Sequence, residues 1–121
     1  MQFSDTIEIH ISLLRAANDY LPINEQTPSR IRFEILLLLA EAEFSSKSLT
    51  VKTLFAPIPH SDTAIRKNLD ALLDEGWITL DGDQADRRIR YVTPTVELQI
   101  CFTNWLVACD EIFKKMDVRN S

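Results

Sequence analysis

The sequence predicts a mainly α-helical domain with one small β-hairpin, and three observations lead there. Apolar residues recur at helical spacing through most of the 121 residues. Two short β-prone runs, Trp77-Ile78-Thr79-Leu80 and Ile89-Arg90-Tyr91-Val92, stand on either side of the polar loop Asp81 to Arg88. Both glycines of the chain fall in this region, Gly76 just past a predicted helix and Gly82 in the hairpin loop, each where a left-handed or otherwise special backbone is expected.

Taken in order, Asp5 to Asn18 forms the first helix, with Ser4 or Asp5 as N-cap and a broad apolar stripe through Ile7, Ile11 and Leu14 and through Ile9, Leu13 and Ala17. Leu21 to Thr27, leading to Pro28, reads as an ordered connector. Ser29 to Phe44 forms the second helix, apolar nearly all round from Ile35 to Ala40, the pattern of a central helix covered on several sides. Ser46 to Phe55 is expected as a short third helix with Leu49, Leu54 and Phe55 inward. It stops at Ala56-Pro57-Ile58-Pro59, because proline lacks an amide donor and disfavours helix in the residue before it. The fourth helix, 61–75, is capped by Ser61 or Asp62. It buries Ile65, Leu69 and Leu72 and turns Thr63, Arg66, Lys67 and Asp70 to solvent. Pro94 ends the hairpin, and Thr95 to Met116 forms a long last helix.

Composition bounds the function. The chain suits one domain with one ordinary core. Its longest aliphatic run, Ile35 to Ala40, is far short of the roughly 18 to 20 apolar residues of a membrane span. The acidic, isoleucine-rich start lacks the basic opening of a signal peptide, so a cytoplasmic location is expected. Cys101 and Cys109 make neither a disulfide framework nor a zinc signature, and with no basic neighbour within a helical turn they read as small buried hydrophobes. His10 and His60 lack ligand-spaced neighbours, so no metal and no cofactor are expected. Neither a glycine-rich phosphate loop, a serine elbow nor a Cys-His pairing is present, which argues against an enzyme.

A formal net charge of -5 argues against indiscriminate binding to nucleic acid. The distribution is uneven, however. Lys47, Lys52, Arg66 and Lys67 face Asp62 alone between Lys47 and Asn68, and the hairpin adds Arg87, Arg88 and Arg90. Two helices joined by a tight turn and followed by a two-stranded wing place the fourth helix where its N-terminal half can enter a major groove. There Ser61, Thr63 and Arg66 suit base-edge or phosphate hydrogen bonds and Lys67 suits a phosphate. Arg87 or Arg88 can enter a neighbouring minor groove. The plainer reading is a solvated hairpin whose arginines pair with Asp83 and Asp86.

The segment Leu54 to Pro94 resembles the winged helix of the MarR family of bacterial regulators. The resemblance rests on the Leu54-Phe55-x-x-Ile58 turn entry, Ser61-x-x-Ala64-Ile65-Arg66, and Leu69-x-x-Leu72-Leu73-x-x-Gly76-Trp77-Ile78. It is completed by Asp83-x-x-Asp86-Arg87-Arg88 followed by Val92, similar to the family's wing signature, with Gln84 where proline is common. It implies a winged helix-turn-helix at 29–94 flanked by N- and C-terminal dimerisation helices at 1–20 and 95–117. It also implies an Asp86 that orients the wing, an Arg87 or Arg88 that reaches DNA, and a homodimer.

The last helix supports the dimer independently. Phe102, Leu106, Cys109 and Phe113 form one stripe and Trp105, Ala108, Ile112 and Met116 a neighbouring one, so Phe102, Trp105, Leu106 and Phe113 are the expected interface. The first helix folding over the same surface within one chain is the alternative. Two functions follow. One is a homodimeric regulator, a repressor that blocks polymerase access at a palindromic operator in double-stranded DNA. The other is a winged-helix module for protein association without DNA binding. The residues identify no small-molecule effector.

Overall fold

The computed structural model describes residues 2–23 and 30–120, the last three by their backbone. The chain divides into two compact units, residues 24–98 and, apart from them, 1–23 together with 99–121.

In the larger unit, α2 (Arg30–Phe44) is the spine, with Ile35, Leu36, Leu39 and Ala40 buried. It packs against α4 (Asp62–Asp74), which follows the short α3 (Val51–Phe55). The amphipathic pattern of α4 decides its orientation: Ile65, Leu69 and Leu72 are buried while Thr63, Arg66, Lys67 and Asp70 are exposed, as their spacing predicts. Ser61 is the N-cap, its hydroxyl accepting from the Ala64 amide at 3.2 Å, and Asp62 is the first residue of the helix. At the other end Gly76 takes φ +84°, and Trp77 N–H donates to Leu72 O, closing the helix in the left-handed turn expected there.

The hairpin β1 (Ile78–Gly82) and β2 (Arg90–Pro94) is antiparallel, pairing Ile78 with Pro94 and Gly82 with Arg90. Gly82 is therefore the last residue of a ladder with no left-handed backbone, contrary to its expected place in the loop. Ile78 and Val92 turn inward to join Leu54, Ile58 and Leu98 in the core. Full burial of each such side chain contributes about 1.5–3 kcal/mol.

The expected third helix is shorter than read. Residues 47–49 are not helical and Thr50 is extended; Thr50 bridges Tyr91, and Val92 N–H donates to Leu49 O at 2.8 Å. Thr50 then caps α3, its Oγ1 accepting from Thr53 N while Thr53 Oγ1 accepts from Thr50 N. A long-range sheet contact thus takes residues that local preference alone would allow into a helix.

In the smaller unit, α1 (Phe3–Tyr20) starts at Phe3, two residues earlier than predicted; its N-cap is Gln2, which offers no side-chain cap, so neither Ser4 nor Asp5 caps it. Its apolar positions divide. Ile9, Ala16 and Ala17 are buried, whereas Phe3, Ile7, Ile11 and Leu14 form an exposed stripe, Phe3 at 88%. The last helix, α5 (Val96–Asn120), runs from the larger unit, where Leu98 is buried, into the smaller. The connector expected from Leu21 to Thr27 is described only as far as Ile23, and the Ser29 start of α2 lies outside the described residues. Among the described residues no helix is long and apolar enough to cross a membrane.

Candidate nucleic-acid interface

The exposed N-terminal half of α4 presents Thr63, Arg66 and Lys67, because burial of Ile65 and Leu69 turns those positions outward. The Arg66 guanidinium lies 5.4 Å from the centre of the Phe55 ring, a cation–π contact between α4 and α3. Between α3, α4 and the wing runs a cleft of about 650 Å3 lined by Lys52, Phe55, Arg66, Arg88, Ile89 and Arg90. Among the described residues Lys52, Lys67, Arg87 and Arg90 have no ion-pair partner. The charge reverses toward the C-terminal end of α4, where Asp70 and Asp74 share a face with Arg66 and Lys67.

The wing loop is organised by two carboxylates. Asp83 Oδ2 accepts from the amides of Ala85 and Asp86 at 3.0 and 2.9 Å, and its Oδ1 accepts from the Tyr91 hydroxyl at 3.1 Å. The Asp86 amide, the Tyr91 hydroxyl and the Ala85 amide hold the Asp83 carboxyl below the ordinary carboxylate range, and Asp83 in turn pushes the Tyr91 phenol up. Asp86 accepts from Arg88 through its amide at 3.0 Å and through Nε and a terminal nitrogen at 3.1 Å each. This bidentate pair lowers the Asp86 pKa and raises that of Arg88. The two wing arginines therefore differ: Arg88 is tied back to Asp86, and Arg87 is exposed and unpaired among the described residues.

The sequence-predicted residues thus gather on the larger unit with different duties. Thr63, Arg66 and Lys67 line one side of α4, Ser61 spends its oxygen as the cap acceptor, and Arg88 and Asp86 are occupied with each other. Sequence reasoning passed over Asp83 as a site residue, and counted Lys52 and Arg90 only as charges. It also missed the pair of buried Arg32 with Glu75, joined by two 2.8 Å hydrogen bonds.

On α5, Phe102 is fully buried within the single chain and cannot be the exposed surface predicted for it. Trp105 is half-buried, and Leu106 and Phe113 are exposed at 36% and 49%. Cys101 and Cys109 are free and half-buried, and burial pushes both thiols up, away from reactive thiolate. His60 Nε2 lies 3.6 Å from Glu34 Oε2.

No protein-family profile matches the sequence, and no curated protein matches it. Solved structures match the fold over nearly the whole chain. The transcriptional regulator Tm0710 of Thermotoga maritima has a TM-score of 0.71 at 14% identity, covering 96% of this chain and 75% of its own. A mutant of MepR from multidrug-resistant S. aureus has 0.69 at 13%, covering 96% and 78%. A MarR-like transcriptional regulator of Thermotoga maritima, tm0816, has 0.63 at 19%, covering 96% and 81%. The fold is that of the MarR-like regulators. In this MarR-like frame α3 and α4 are the helix-turn-helix pair and β1 and β2 the wing, so the basic cleft lies on helix-turn-helix and wing together.

Proposed function

We propose that the protein is a sequence-specific, DNA-binding transcriptional regulator, acting as a homodimeric repressor on a palindromic operator. The observation that carries this reading is the cluster of cations on the outer surface of the larger unit: Arg66 and Lys67 on α4, Lys52 on α3, and Arg87 and Arg90 on the wing. An exposed helix of this length fits a major groove about 12 Å wide, with Thr63 and Arg66 toward base edges and Lys67 toward a phosphate. Ser61 remains able to donate its hydroxyl proton to a phosphate, since the cap uses only its oxygen. The unpaired Arg87 is the wing residue for the minor groove; Asp86 orients the wing by fixing Arg88.

The dimer assignment rests on apolar surface left exposed on the smaller unit, through Phe3, Ile7, Ile11 and Leu14 on α1 and Leu106, Val107 and Phe113 on α5, beside the half-buried Trp105. A two-fold partner covers such a surface with a copy of itself. The proteins with the same fold are named as transcriptional regulators, which favours this reading over catalysis.

Binding to a randomised duplex library at several salt concentrations tests the proposal. Enrichment of a palindromic site, with affinity falling as salt rises, is expected. Absence of any salt-dependent affinity would leave protein association as the function, a reading that the acidic Asp70 and Asp74 on α4 favour.

A further inference from the structure

Arg32 is the one buried charged side chain among the described residues, 4% exposed on α2. Its two terminal nitrogens meet the two oxygens of Glu75, each at 2.8 Å, across 43 positions of sequence. Glu75 is the C-cap of α4, where the negative end of the helix dipole disfavours an acid, so the guanidinium offsets an unfavourable placement. Trp77, two residues on and just before β1, helps Arg32 to hold the Glu75 carboxyl below the ordinary carboxylate range. The pair therefore ties the spine α2 to the end of α4, three residues before the wing begins at Ile78.

Stability alone is a poor reason for this arrangement. Arg32 is buried while Glu75 stays exposed, so the cost of desolvating the guanidinium is set against attraction to a solvated carboxylate and little net gain is left, and apolar residues of similar volume often do as well. A planar, two-pronged contact supplies geometry instead, since it holds only in one relative orientation of its partners. Rotating α4 by about 10° moves the Arg66 guanidinium, roughly 8 Å from the axis of α4, by about 1.4 Å, enough to lose a hydrogen bond.

We infer that Arg32 and Glu75 are positioning residues for nucleic-acid recognition, a clamp that sets the rotation of α4 and the departure of the wing so that Arg66 and Arg87 meet DNA in one register. The inference rests on the regulator reading above. Neither residue touches DNA in this scheme.

The test uses the full chain, the duplexes that the parent protein enriches from a randomised library, and a random-sequence duplex of equal length. R32M/E75M replaces the pair with apolar side chains, and R32K keeps the charge with a single prong. The double variant is expected to melt at or above the parent temperature and to keep the salt slope on random duplex. Its preference for the enriched duplex should fall about tenfold, the loss of one good base contact. R32K should lose part of that preference. A folded double variant with undiminished preference would overturn the clamp, as would a low-melting double variant together with an R32K variant of full preference. If the parent enriches no duplex, the regulator reading fails first and takes the clamp with it, a result separate from any difference among variants.

Discussion

Replacing Arg66 with alanine separates recognition from folding, because the side chain stands outside the core. Among the described residues its guanidinium makes a cation–π contact with Phe55, 5.4 Å from the ring centre, and no ion pair. Such an exposed cation–π contact contributes about 0.5–1 kcal/mol. Alanine is also the better helix former by a few tenths of a kcal/mol, at a position exposed on α4. The melting temperature should therefore fall by no more than about 5 °C. Against DNA the expected loss is larger. A base-edge contact by Arg66 supplies about 1–3 kcal/mol in each half-site and its removal relaxes preference at one base position. A phosphate contact instead weakens every sequence alike and reduces the salt slope by about 0.9 per protomer. Fluorescence anisotropy on enriched and random duplexes at four salt concentrations, beside a circular dichroism melt, distinguishes these results. A folded Arg66→Ala protein that binds both duplexes as the parent does, at every salt concentration, would remove α4 from the recognition surface.

Three further expectations follow from the site. Arg87→Ala should weaken binding to the enriched duplex by about 1–3 kcal/mol while leaving the melt unchanged, whereas Arg88→Ala should alter the wing loop by releasing Asp86; equal effects in both assays would refute the division of labour. Because the folded Asp83 pKa is depressed, its contribution to wing order is fully present above the ordinary carboxylate pKa of about 3.9 and is lost as pH falls through the lower folded value. Ala85 and Asp86 amide shifts followed by NMR should titrate below that ordinary value, and a midpoint at or above it would count against the network. Light scattering at micromolar concentration should give a dimer that Trp105→Asp weakens, and a monomeric parent mass would remove α5 from any self-association.

Elements set by local chemistry were legible in the residues. Ser61 and the Ile65, Leu69, Leu72 spacing announce α4 because a cap and a helical stripe act within a few positions. Gly76 announces the left-handed turn for the same reason. What escaped depends on partners distant in sequence. The segment before α3 is not helical because Leu49 and Thr50 meet β2, and the bond from Val92 has no local signature. The exposed half of the α1 stripe cannot be told from the buried half by spacing, since Ile7 and Ile9 are equally apolar. Asp83 looked like a counter-charge for the arginines, yet it collects two loop amides and the Tyr91 hydroxyl, a role set by the fold of the hairpin. Arg32 on a predicted core helix gave no hint of a partner 43 positions away.

The charge order along α4 constrains how the helix can approach a duplex. Asp62, Thr63, Arg66 and Lys67 occupy about the first two turns, net positive, and Asp70 and Asp74 follow on the same face, the last about 10 Å farther along the axis than Lys67. Within a Debye length of about 8 Å at physiological salt, carboxylates beside the phosphate backbone are repelled. Under the proposed function only the N-terminal half would lie deep, with the helix tilted so that Asp74 leaves the groove. At the wing, Asp86 already neutralises Arg88, which further limits the positive charge offered to phosphate. On that proposal non-specific affinity should be weak, and discrimination should come from a few well-placed contacts, with Arg66 foremost. For a chain with net charge -5 this makes the orientation of α4 matter more than the amount of charge it carries.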